Sequence, residues 1–280
     1  DFGDVDIYVG ETNYLRAAEV VTAAYPDAYW HSDIRGGIHY ILVMDEKQDR
    51  VVELHRVTME FADKHANELY QTFTHKYLDH TTNTVDIYGK AIPVPSAAYN
   101  ALYVFMHAWH HFESTGVGMR PLGDWALCLQ HAHKQSSAQE WQSLVEEMDS
   151  LLQALHLKTA WQTFGHVLVE VLGLPSEAFP LYTTKYQRRA QRLLRQLLRD
   201  GHGGRSAEFR LSEIALMRCF PWERPSKNRL LQMGYTFCRL LFEAWQMGKL
   251  FPDWAWSDIV AMIDRSLRSL RDRCAEGSMR

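Results

Sequence analysis

Asp4-Val5-Asp6, inside the run Gly3-Asp4-Val5-Asp6-Ile7-Tyr8-Val9, places two carboxylates two residues apart in a stretch that reads as a short strand. A strand has a side-chain period of two, so Asp4 and Asp6 are expected on one face, with Val5 and Ile7 turned into a core. Like charges side by side are costly without a cation between them. Magnesium takes one or two protein carboxylates together with phosphate oxygens and water, so the spacing suits a metal-nucleotide site. The competing reading is an exposed edge strand whose charges discourage edge-to-edge pairing.

A third carboxylate follows in Val51-Val52-Glu53-Leu54-His55, where alternation puts Val51, Glu53 and His55 on one face. If this strand lies beside the first, Glu53 converges on Asp4 and Asp6. Three carboxylates serve two-metal chemistry, two bridging the ions and the third binding the second ion or deprotonating an attacking hydroxyl. Otherwise Glu53 pairs with a nearby cation such as Arg56. His39, in Gly37-Ile38-His39-Tyr40, either lines the same face or fills space. His107 and His111 stand at i, i+4 on a helical stretch, a spacing that suits a metal pair or a buried structural role. Arg120 opens another helix, with Asp124 in its first turns, where the helix dipole favours a carboxylate whatever its function.

These residues need scaffolding. Val5 to Val9 reads as a strand and Thr12 to Tyr25 as a helix, with Thr12 its N-cap and Pro26 past its end. A loop is expected through Trp30 to Gly37, then a hairpin of Ile38 to Met44 and Arg50 to Val57 around the polar segment 45–49. Val85 to Tyr88 is a further strand, turning at Gly89-Lys90. From Ser96 the apolar period changes from two to about 3.6. Helices are expected at Ser96 to Glu113, Pro121 to His133, Ala138 to Leu155, Lys158 to Leu172, Lys185 to Arg199, Leu211 to Cys219, Lys227 to Met247 and Trp256 to Arg273. Trp245, Trp254 and Trp256 sit at helical spacing and read as core. Lys185, Arg188, Arg189, Arg192, Arg195 and Arg199 form a basic stripe, read first as a solvated face and second as a track for a polynucleotide.

The chain has 280 residues, 46% of them hydrophobic and 23% charged, with a net charge of -4. That is enough material for one large or two modest globular domains. The charge gives no overall attraction to nucleic acid or to an anionic membrane. No apolar run reaches the ~18 residues that cross a bilayer, so a soluble, cytoplasmic protein is expected. Cys128, Cys219, Cys238 and Cys274 show no metal or redox spacing and read as reduced thiols.

Taken in order, Gly3 to Val9, Val52-Glu53-Leu54-His55, His107 to His111 and Arg120-Pro121-Leu122-Gly123-Asp124-Trp125 resemble the bacterial nucleotidyltransferase-like family of the polymerase-beta superfamily. The resemblance covers roughly the first half of the chain. It implies an α+β fold: a small mixed sheet forming the nucleotidyltransferase core over residues 1–95, then a larger all-α substrate or partner domain over 96–280. It further implies Asp4, Asp6 and Glu53 as catalytic and metal-binding residues for Mg2+ or Mn2+. His39, His55, His107, His111, Arg120 and Asp124 would face a nucleoside triphosphate, with ATP the expected one. The acceptor would be a small molecule, a peptide or a protein, with nucleic acid less favoured. The family's phosphate-binding Gly-Ser or Gly-Gly turn does not precede Asp4 here, and the expectation is that this part of the core lies upstream of the numbering. The alternative activities are a catalytically inactive nucleotidyltransferase-like binding module and a polynucleotide nucleotidyltransferase.

Overall fold

A computed structural model describes residues 5–26, 29–30, 39–45, 50–61, 63–79, 81–114, 116–201, 241, 245, 248–257, 259–260 and 263. The chain divides into two compact units, Asp1–His80 and Thr81–Arg280. Asp4 and the expected helix Leu211 to Cys219 lie outside the described residues, as do most of the expected helix Lys227 to Met247 and of the stretch after Trp256.

The first unit runs β1 (Val5–Tyr8), α1 (Gly10–Ala24), β2 (Tyr29–Trp30), β3 (His39–Asp45), β4 (Arg50–His55) and α2 (Lys64–Leu78). Its sheet has the order β1-β4-β3-β2. β1 pairs parallel with β4, and the other neighbours are antiparallel. The sheet is therefore mixed, and the expected hairpin is β3–β4. Trp30, expected in a loop, belongs to β2.

The β1–β4 pairing runs on through Val9, whose N–H donates to the His55 carbonyl at 3.0 Å. Gly10 then takes φ +72°, a conformation glycine adopts without steric cost, and the chain enters α1 directly. Thr12 is accordingly inside the helix. The N-cap is Val9, without a side-chain cap bond, which corrects the expected start. On one sheet face, Leu54 packs against Tyr14 and Ala18 of α1, with Val9, Ala17 and Val21 beside them. Val5 and Ile7, expected in a core, are 53% and 41% exposed. The reason is positional: among the described residues β1 is the edge strand, and α1 closes over β4.

α2 is a helix that the sequence reading does not place. Asp63 caps it by accepting from the Ala66 N–H at 2.7 Å, and Ala66, Tyr70, Phe73 and Thr74 form its buried stripe. The segment after β4 is fastened to it: Tyr70 and Thr58 hydroxyls lie 3.1 Å apart, and the Gln71 amide donates to the Met59 carbonyl.

The second unit opens with the hairpin β5 (Thr84–Ile87) and β6 (Lys90–Pro93). Its two-residue turn is Tyr88-Gly89, both at positive φ, with Asp86 accepting from the Gly89 N–H. That is the backbone twist two-residue hairpins favour, and it shifts the expected turn back by one residue. Helices α3 (Ala97–Ser114), α4 (Met119–Gln135), α5 (Ala138–Ala154), α6 (Lys158–Glu170) and α7 (Gln187–Asp200) follow, with a single 3₁₀ turn at Ser176–Ala178. Ser137 and Glu140 form a capping box at the start of α5.

The core of this unit is aromatic. Phe105, Trp109, Trp125, Trp161, Phe164, Phe179 and Phe251 are buried and meet mostly edge to face, the arrangement ring quadrupoles favour. Two indoles keep their N–H groups satisfied in this dry setting. Trp125 donates to the Ala101 carbonyl at 2.8 Å and Trp161 to the Pro180 carbonyl at 2.7 Å. Trp254 packs on Trp109, but Trp245 and Trp256 are exposed, against the expectation that all three are core. Among the described residues, no helix is long and apolar enough to cross a membrane.

Candidate active site

The register of β1 on β4 places Asp6 opposite Glu53 and Tyr8 opposite His55. Alternation then puts Asp6, Tyr8, Glu53 and His55 on the sheet face away from Leu54 and α1. His55 Nε2 lies 2.9 Å from Asp6 Oδ1 and 3.4 Å from Glu53 Oε2. The three side chains are graded in exposure, from 36% for Asp6 through 17% for Glu53 to 10% for His55. The cluster is thus open at Asp6 and closed at His55. Tyr8, on the same face, donates its hydroxyl to Asp79 at 3.2 Å, and Asp79 also meets His75 Nδ1 at 2.8 Å, which ties the end of α2 to β1.

Burial acts to lower the pKa of His55. The hydrogen bonds and charges of Asp6 and Glu53 more than reverse that and push it up to about 9. The imidazole therefore carries a positive charge at neutral pH between two carboxylates.

One ligand atom each from Asp6, Glu53 and His55 lies within 4.8 Å of the others, the geometry of a metal-holding group. Two carboxylates converging from paired strands fit a divalent cation, and the His55 ring nitrogen joins them as a ligand only once it has lost its proton. The place of positive charge between the carboxylates is already shaped, and one side of it is open.

The neighbouring cation considered for Glu53 has other work. Arg56 pairs with Glu11 at 2.9 Å and Glu60 at 3.0 Å. His39 is the register partner of His55 across β3–β4, and its side chain is outside what the structure describes. The remaining candidates belong to the second unit. His107 and His111 put their Nε2 atoms 3.1 Å apart on α3. Tyr103 stacks on the His107 ring, and His107 is exposed, which corrects the buried reading. No third His, Cys, Asp or Glu joins this pair in a metal-holding group among the described residues. Arg120 and Asp124 approach to 4.0 Å, 79% and 62% exposed. Asp124 is past the first turn of α4.

Sequence reasoning overlooked Tyr8, although the two-residue period that selects Asp6 also selects it, and Asp79, whose helix was not anticipated. Neither a curated protein nor a solved structure matches the chain. Residues 1–163 match the model of a family described as an uncharacterised nucleotidyltransferase, a span that takes in β1, β4 and the whole Asp6/Glu53/His55 cluster, and the chain belongs to that family.

Proposed function

We propose that this chain is a divalent-cation-dependent nucleotidyltransferase of the bacterial, polymerase-beta type, moving a nucleoside monophosphate from a triphosphate, ATP first among them, to an acceptor oxygen. The reading rests on one observation: β1 and β4 pair in the register that sets Asp6 beside Glu53 and His55. An acceptor hydroxyl attacks the α-phosphorus, the bond to the β-phosphate oxygen breaks, and pyrophosphate leaves. Asp6 and Glu53, with Asp4 two residues earlier in the sequence, would hold Mg2+ or Mn2+. Once bound, the cation supplies charge neutralisation for the triphosphate and an acidified acceptor hydroxyl. Glu53, the more buried carboxylate, takes the acceptor proton. His55 positions both carboxylates through its Nε2 contacts.

A second reading is favoured by a specific feature. His55 already neutralises the carboxylates, as it would in a nucleotidyltransferase-like binding module that needs no cation. Calorimetric titration of the protein with ATP, with and without Mg2+, separates the two. Magnesium-dependent binding that disappears in Asp6→Asn/Glu53→Gln supports transfer. Nucleotide binding indifferent to both magnesium and the substitutions, or none at all by folded protein, rejects it.

A further inference from the structure

The charge of α7 lies along one line. At 3.6 residues per turn, Arg188, Arg192, Arg195 and Arg199 fall within a sector of about 60°. All four are exposed. Ala190, Leu193 and Leu197, which are buried, occupy the opposite side and fix the stripe toward solvent. Lys185 and Arg189 stand over the Tyr186 ring at 5.3 and 5.2 Å, carrying the positive surface past the first turn. Residues 185–200 hold six Lys and Arg and one Asp, a formal charge of +5 in a chain whose total is -4.

Helices that only face water usually interleave acids and bases at i, i+4, because unlike pairs support the helix and like pairs oppose it. α7 does the reverse. Arg188/Arg192 and Arg195/Arg199 are like pairs at i, i+4, and Arg189/Arg192 and Arg192/Arg195 are like pairs at i, i+3. Arg188 and Arg189 also sit in the first turn, which holds no acid, against the positive pole of the helix. Among the described residues, none of the ion pairs includes Arg188, Arg192 or Arg195. The arrangement is consistent with a linear anion. Arg188 to Arg199 extends about 16.5 Å along the axis, room for several successive phosphates. Five of the six cations are arginine, whose planar fork matches phosphate.

From this line of charge we infer that α7 is a binding track for the phosphate backbone of a single-stranded nucleic acid. The inference stands apart from nucleotidyl transfer, since a chain that bound no nucleotide would still present the track. The test is fluorescence anisotropy of the full chain with a labelled single-stranded RNA of ~12 nucleotides across a salt series. Four phosphate contacts give a log-log salt slope of about -2.8, or roughly 50-fold weaker binding between about 50 and 200 mM salt. Arg188→Gln/Arg192→Gln halves the slope to about -1.4, and Arg195→Gln alone removes about 0.7 of it. Lys64→Gln, an exposed cation on α2, leaves the slope unchanged, and circular dichroism checks that each variant keeps its helices. A flat wild-type salt profile, or a slope that ignores the α7 substitutions, overturns the inference. So does tighter binding of a duplex of equal length, or equal binding of a poly-glutamate, which would point to an acidic protein.

Discussion

His55 and Asp6 are 49 residues apart and meet only because β1 and β4 pair in one register, whereas His107 and His111 meet because they occupy adjacent turns of α3. The first contact needs the first unit folded around Leu54. The second needs one helix. Any i, i+4 pair on a formed helix is close, so proximity at His107/His111 or Arg120/Asp124 says little about purpose. Two carboxylates brought side by side by a parallel pairing repel each other, His55 offsets that repulsion only while the β1–β4 register holds it between them, and the register is kept by packing elsewhere in the unit. Cation binding at the Asp6/Glu53/His55 cluster should therefore depend on the packing of the sheet, and the helix-borne pairs should not influence it.

The largest effect expected is from Leu54→Ala. This side chain lies between Glu53 and His55 in β4 and is 1% exposed against α1. Its truncation costs about 2–5 kcal/mol, seen as a lower urea midpoint for the first unit, and it weakens Mn2+ binding in parallel. Unaltered Mn2+ affinity in a destabilised variant would break the link between register and site. Next is Glu53→Gln, which leaves shape but removes a ligand charge. Mn2+ affinity measured by electron paramagnetic resonance falls roughly 100-fold, at or beyond the upper end of what outer-shell changes produce. His107→Ala leaves it unchanged. A third variant probes the helical unit alone. A Cβ at Gly165 would collide with the Phe179 ring, so Gly165→Ala overpacks the aromatic core by about 1–3 kcal/mol. Its melting temperature drops while Mn2+ affinity holds.

The same contrast explains what could be read from the chain beforehand. Alternation in Gly3 to Val9 and Val51 to His55 carries the strand faces, and the change of period at Ser96 carries the helical region, because both follow from local geometry. Register does not. Nothing in either strand alone states that Asp6 opposes Glu53, or that His55 reaches back across the pairing to both carboxylates. α2 was legible in principle, with Asp63 as cap and Ala66, Tyr70 and Phe73 at helical spacing, but its many polar residues blur the stripe. The exposure of Val5 and Ile7 does not follow from alternation, because edge position is a property of the whole sheet. Exposed Trp245 and Trp256 show the same limit in the second unit: helical spacing predicts a face, and only the packing decides which side of it is covered.

Ion pairs give the smallest effects and the finest test of local against non-local placement. Lys158, at the start of α6, reaches Asp149 on α5 at 2.6 Å. Burial raises the Asp149 pKa, but the hydrogen bonds from Lys158 and Gln153 and the Lys158 charge outweigh it and leave the carboxyl below its ordinary value. The stability this contributes is present above the ordinary aspartate range and is lost as pH falls through the lowered folded value. Both partners are about a third exposed, so screening keeps the contribution under about 1 kcal/mol. Melting curves of wild type and Asp149→Asn should therefore converge as the pH is lowered below about 4. A gap that persists there would mean that Asp149 acts through packing and not charge. Arg120/Asp124 is the control at the bottom of the scale. At 4.0 Å and largely exposed, it should show a double-mutant coupling of no more than about 0.5 kcal/mol. A larger coupling would mean that these side chains are held by more than their helix, and would move them from the locally paired class into that of Asp6 and Glu53.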